Sequence, residues 1–230
     1  LIHCVVAFIQ EARPLIAHYR LQPIKGKHPF TIYAGDGFML IVSGLGKLAA
    51  AAAVGYLQAL TLDDGPKAWL NIGIAGHHRL EIGQGFIAHR IQDWATGRAY
   101  YPPQILPVAG NTSDLITVDQ PERDYSADSG YDMEASGFYP AATRTSTAEF
   151  IQSYKVVSDH PQHPVGKITK AIVTKHIAHR MDEIVPLIST LQAAIADYRK
   201  LHAPSPHFEK IVQRWHFTAT QKTQLKQLLR

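Results

Sequence analysis

The chain reads as an α/β protein: a mixed central sheet with helices on both faces. Short apolar runs of strand length, such as Ile2–Phe8, Trp69–Ile74 and Ser153–Ser158, alternate with helix-forming segments. The alanine-rich stretch Lys47–Leu60 contains Ala49 to Ala53 in succession, a composition that favours helix and close packing. Glycine-rich turns, Gly44-Leu45-Gly46 and Gly73–Gly76, fall where strands end, and open α/β sheets collect ligands there.

Taken in order, Ile2–Phe8 is a buried strand and Ile9 opens a helix, with Pro14 expected in its first turn, where a missing N–H costs little. Phe30–Tyr33 and Phe38–Val42 are strands joined by the turn Ala34-Gly35-Asp36-Gly37. The Lys47–Leu60 helix follows, then strands at Trp69–Ile74 and Phe86–Trp94. From Tyr101 to Gly130 the chain is rich in turn residues, with one short apolar run, Leu115–Val118. Met133 to Thr143 is helical with Pro140 inside it, which predicts a kink or a late start. Ser153–Ser158 is a strand, and helices occupy most of Val165–His202. Residues 1–203 form one α/β domain in this reading, and 204–230 a helical extension packed on it. Thr218 with Gln221 is a capping box that starts a last helix, whose Leu225, Leu228 and Leu229 share a face that needs covering.

The 230 residues, 46% hydrophobic and 18% charged, have the size and composition of a soluble globular domain. The net charge of +4 resides in the tail, where Lys210, Arg214, Lys222, Lys226 and Arg230 meet only Glu209. The body is neutral and shows no basic face interleaved with aromatics, so a nucleic-acid groove is not expected. No apolar run approaches the ~20 residues that span a bilayer, and a membrane surface is not the expected partner of the narrow leucine stripe. Cys4, the single cysteine, reads as a core residue, which with the absence of a secretory signal is consistent with a cytoplasmic, reducing setting.

Chemistry centres on Tyr131-Asp132-Met133-Glu134-Ala135-Ser136, where two carboxylates flank a methionine at a helix start. A lone Glu there serves the helix dipole. Here, however, Glu11, Gly44–Gly46, Gly73–Gly76, Glu134 and Asp159 all follow strands or equivalent transitions and converge on one sheet edge. So many carboxylates exceed what a structural site wants, because each buried charge must be paired or neutralised.

In this order, Gly44-Leu45-Gly46-Lys47, Asn71-Ile72-Gly73-Ile74-Ala75-Gly76, Tyr131–Ser136 and Lys155-Val156-Val157-Ser158-Asp159 resemble the nucleoside phosphorylase and nucleosidase superfamily, especially its methylthioadenosine/S-adenosylhomocysteine nucleosidases. The resemblance implies a three-layer phosphorylase/hydrolase-like fold and hydrolysis of the N-glycosidic bond of an adenine nucleoside. It makes Asp159 the acid that protonates the purine and Glu11 the group that activates water. Glu134 grips the ribose hydroxyls and Met133 lies against the sugar. Gly44, Leu45, Ala75, Gly76, Lys155 and Ser158 complete the substrate pocket. The resemblance further implies a homodimer, a small-molecule nucleoside substrate and no cofactor.

Three departures bear on this. Ile74 stands where the nucleosidases carry Ser, Lys155 where many carry Arg, and the base-binding segment between Asn111 and Tyr131 is short. Thr117, Val118 and Asp119 are the candidate purine neighbours in it. A phosphate-dependent phosphorylase is the alternative, but Asn71 stands where a phosphate-binding arginine would fall. A nucleoside-binding protein without turnover is the other. His77, His78, His160 and His163 lack metal-ligand spacing, so no metal is expected, and His176 with His179 marks a helix face.

Overall fold

A computed structural model describes residues 1–61, 65–107, 110–162, 168–203 and 205–229. His163, Val165 and Pro204, which the sequence reading assigned to a histidine pair, a helix start and a helix break, lie outside the described residues. Strands β1 (Ile2–Val6), β2 (Gln22–Pro23), β3 (Thr31–Gly35), β4 (Phe38–Val42), β5 (Ala68–His77), β6 (Gly85–Asp93), β7 (Ala99–Tyr100), β8 (Asn111–Thr117), β9 (Gly130–Asp132) and β10 (Ile151–Asp159) join in one mixed sheet. β1 lies between β4 and β5, and β5 pairs with β10, all parallel. Beyond them β5, β10, β6, β8 and β9 close on themselves, because β10 pairs with both β5 and β6 while β9 pairs with both β8 and β5.

Alternation along the strands builds the layers. Ile2, Cys4 and Val6 of β1 and Leu70 and Ile72 of β5 face one core, with helices α1 (Ile9–Tyr19), α4 (Lys170–His179) and α5 (Met181–Leu201) over it. Val5, Ile41 and Trp69 face the other core, under α2 (Lys47–Leu60) and α3 (Ala135–Ala142). Each helix buries one stripe, such as Ile184, Leu187, Ile188, Leu191 and Ile195 of α5. This is the expected three-layer arrangement.

Pro14 sits differently from expectation, whereas the helix carrying Pro140 starts late as expected. Pro14 lies inside α1, beyond its first turn. It therefore deprives the Gln10 carbonyl of its helical donor, and the Thr174 hydroxyl of α4 supplies one at 3.0 Å. The helix carrying Pro140 starts late, at Ala135, because Asp132 and Thr117 rather than helix backbone take its first N–H groups: Ala135 N donates to Asp132 Oδ2 at 2.9 Å and Ser136 N to Thr117 Oγ1 at 3.0 Å. Sequence reading missed β2, β7 and β9 and most of β8, and it stopped β5 at Ile74, short of its end at His77.

In the tail, α6 (Pro206–Arg214) buries Phe208 and α7 (Ala219–Leu228) begins at the Thr218/Gln221 capping box. Lys226 lies 5.1 Å over the Phe208 ring, so the two helices pack on each other. No described residue of α7 is buried, and Leu228 is 83% exposed.

Helices α2 and α3 touch at their starts. A Cβ on Gly137 would fall 1.9 Å from the Lys47 carbonyl oxygen, backbone that cannot swing aside. Gly137→Ala should therefore destabilise the protein by roughly 1–3 kcal/mol or more, the usual range for overpacking. Denaturant unfolding measures this, and an unchanged midpoint would mean that the two helices are not in register here.

Candidate active site

The C-terminal ends of β1, β4, β5 and β10, joined by the end of β9, surround a cavity of about 440 Å³. That volume suits a small ligand. Glu11, Leu45, Ala75, Gly76, Met133, Glu134, Ser158 and Asp159 all line it, as do Ile74 and Val118. Gly44 and Lys155 do not. Gly44 turns the chain after β4 at φ 85°, with its N–H on the Ala7 carbonyl, and Lys155 lies beneath the cavity floor.

Strand register explains how the charges meet. Lys155 of β10 stands beside Gly73 of β5, and Asp159 beside Gly76. With no side chain on Gly73, Glu11 Oε1 and Lys155 Nζ approach to 3.0 and 3.3 Å of where a Cβ would be. Lys155 Nζ bonds Asp132 Oδ2 at 2.8 Å, with both side chains essentially inaccessible. Asp132 Oδ1 accepts the Thr117 hydroxyl at 2.7 Å. One buried ammonium thus serves Asp132, Glu134 and Glu11. Burial pulls Lys155 down, but these three carboxylates outweigh it and hold it above its ordinary value.

Each remaining carboxylate has fixed donors. Glu11 accepts the N–H of Phe8 at 2.8 Å and of Ile74 at 3.0 Å. Glu134 accepts the N–H of Gly46 at 2.9 Å, at the start of α2. The helix-dipole role expected of Glu134 thus operates, but on a different helix from the one that it precedes. Burial, which the donors and Lys155 only partly offset, raises Glu11 above its ordinary value. Burial, together with Asp132 and Glu11, pushes Glu134 up to about 7. Asp159 is held by two hydroxyls, Ser158 on Oδ1 and Tyr125 on Oδ2. A register shift between Val157 and Asp159 breaks the alternation of β10 where Ser158 and Asp159 both reach the cavity.

Of the candidate purine neighbours, Val118 lines the cavity, Thr117 braces Asp132, and Asp119 pairs with Lys47 at 3.0 Å. Ile74 supplies a backbone donor to Glu11 and an apolar wall. The amide of Asn71 donates to the Val5 carbonyl, away from the cavity. Both ring nitrogens of His77 are used internally, by Ser113 and by the N–H groups of Arg79 and Leu80, and burial lowers it to about 4. Among the described residues no group of three His, Cys, Asp or Glu is arranged to hold a metal ion. Sequence reasoning missed Tyr125 and left Asp132 without a role. The only signal for Asp132 was its place in the two-carboxylate stretch, and Tyr125 lies where turn residues hide any pattern.

The three-layer fold is the one seen in solved methylthioadenosine/S-adenosylhomocysteine nucleosidases. Among solved structures the chain is similar to the 5'-methylthioadenosine/S-adenosylhomocysteine nucleosidase of Neisseria meningitidis in complex with methylthio-immucillin-A, at TM-score 0.63 and 17% identity over 80% of this chain and 97% of that one. The Helicobacter pylori enzyme with butyl-thio-DADMe-immucillin-A gives TM-score 0.66 and 12% identity over 82% and 97%. The Colwellia psychrerythraea enzyme in complex with adenine gives TM-score 0.62 and 17% identity over 80% and 92%. No protein-family model and no curated protein matches the sequence.

Glu134 allows a direct test of the site's electrostatics. Its folded value of about 7 lies above the ordinary 4.5, so its contribution to stability is full below about 4.5 and is lost as pH rises through about 7. Glu134→Gln never ionises. Its melting temperature should gain on that of the wild type by several degrees between pH 5 and pH 8, given roughly 2–4 °C per kcal/mol in a chain this size. A difference independent of pH would contradict the raised value.

Proposed function

We propose that the protein is a purine nucleosidase that hydrolyses the N-glycosidic bond of an adenine nucleoside, acting as a cytoplasmic homodimer. The observation that carries this reading is the convergence of Glu11, Glu134 and Asp159, with Met133, in one cavity of nucleosidase-like fold. Glu11, a buried carboxylate raised by desolvation, is suited to take a proton from water as its oxygen attacks the anomeric carbon. The bond from that carbon to the base nitrogen breaks with its electron pair leaving on the purine, and Asp159 supplies the proton that neutralises it. Glu134 accepts hydrogen bonds from the ribose hydroxyls, while Met133 and Leu45 give the sugar and its 5' substituent apolar contact. Two departures from the family fit this chemistry. Lys155 acts through Asp132 and needs only a point charge, and Ile74 still delivers its N–H to Glu11.

Water is favoured over phosphate as the attacking group. No arginine lines the cavity among the described residues, and Lys170 is its one cationic side chain. The second copy of the homodimer would cover Leu45 and Leu48, which are exposed near the cavity on this chain.

Adenine release from 5'-methylthioadenosine, followed with and without phosphate, tests the reading. The expected result is free sugar and base at a rate indifferent to phosphate, with turnover lowered ~10²–10⁴-fold in Asp159→Asn and nucleoside binding retained. A sugar-1-phosphate product would make it a phosphorylase. Tight binding without base release would make it a nucleoside-binding protein.

A further inference from the structure

Tyr125 belongs to none of the roles above, yet its phenol donates to Oδ2 of Asp159. We propose that Tyr125 is a positioning residue that holds the Asp159 carboxyl group from behind the cavity wall and fixes how it faces the cavity. This rests on the nucleosidase reading for its consequence in catalysis, but not for the pairing itself.

The surroundings are built to keep this contact. Tyr125 is 1% exposed, and its ring meets Tyr131 edge-on at 5.7 Å. Gly76 makes the room: a Cβ there would fall 2.6 Å from both the Tyr125 ring and Asp159 Oδ2. The Tyr125 backbone sits at φ 47°, a left-handed conformation that bulky residues seldom adopt. The chain is pinned in that shape on two sides. The Nδ1–H of His78 donates to the Tyr125 carbonyl at 2.6 Å, and the Glu122 carboxylate accepts the N–H groups of Arg123 and Asp124, each at 2.8 Å. Packing alone would ask only for the ring, whereas the hydroxyl is spent on the carboxylate.

Electrostatics give the contact its effect. Burial first, then the bond to Asp159, pushes the phenol well above its ordinary range, so it remains a donor at working pH. A hydroxyl that keeps its proton donates to the carboxylate throughout and fixes the direction in which it faces the cavity. Other charges face this pair: Glu122 beside Tyr125, His160 next along the chain, and Glu11, Asp132, Glu134 and Lys170 around the cavity. All of them are retained in Tyr125→Phe, so a comparison with the wild type isolates the hydroxyl.

The test is the ¹³C spectrum, at one fixed pH, of the full-length protein carrying labelled aspartate carboxyls, with the Asp159 signal assigned by its loss in Asp159→Asn. In Tyr125→Phe the Asp159 signal should shift while the other aspartate signals stay in place. With it, kcat for base release should fall several-fold, KM staying nearly unchanged. Fluorotyrosine at position 125, a stronger donor, should shift the signal the opposite way. An unmoved signal overturns the proposal whether or not base is released. A moved signal in a protein that releases no base retains the pairing and rejects the nucleosidase reading.

Discussion

The ion pair between Lys155 and Asp132 is the contact on which the site depends. It joins a strand of the parallel sheet to the short strand that leads into α3, and it does so out of reach of water. Removing two charges from water is costly, and attraction repays the cost only where further hydrogen bonds satisfy the remaining lone pairs. Asp132 meets that condition through Thr117 and the N–H of Ala135. The same ammonium then tempers Glu134 and Glu11, so one cation lets three carboxylates share a small volume. Without it the three carboxylates would face one another with no opposite charge between them.

Much of this was legible in the sequence because it rests on local pattern. The buried β1, the β3–β4 hairpin, α2 and β10 follow from apolar runs, turn glycines and alanine content. The order of glycine turns and carboxylates placed Glu11, Glu134 and Asp159 at strand ends, and all three line one cavity. What escaped was non-local. β9 is only Gly130–Asp132, and it exists because it completes the closed ring between β8 and β5. Thr117 looked like a residue facing a base, yet it is bound to Asp132 and Ser136, a partnership set by the pairing of β8 with β9. Tyr125 could not be found by any periodicity, since its place depends on a left-handed turn, on His78 and on the space left by Gly76.

The glycines show how closely the backbone and the chemistry are tied. Gly73 lets Glu11 and Lys155 pass each other, and Gly137 lets α3 rest on the backbone of Lys47. The latter contact brings the start of α2 to the start of α3, where Gly46 donates to Glu134. Packing against a neighbouring backbone therefore fixes an acceptor in the cavity, and a stability defect at Gly137 is expected to be a binding defect as well. The similarity to solved nucleosidase structures at 12–17% identity is one of fold.

The central claim, that one buried ammonium balances the carboxylates of the site, is tested most directly by the stability of Lys155→Met as a function of pH. Loss of one partner of a buried pair typically costs about 3–5 kcal/mol. That loss should be largest near pH 8, where Asp132, Glu134 and Glu11 would face one another unpaired, and should shrink towards pH 5 as Glu134 and Glu11 take up protons on folding. A penalty that is small, or equally large at both pH values, would contradict the claim and reduce Lys155 to an ordinary packing residue.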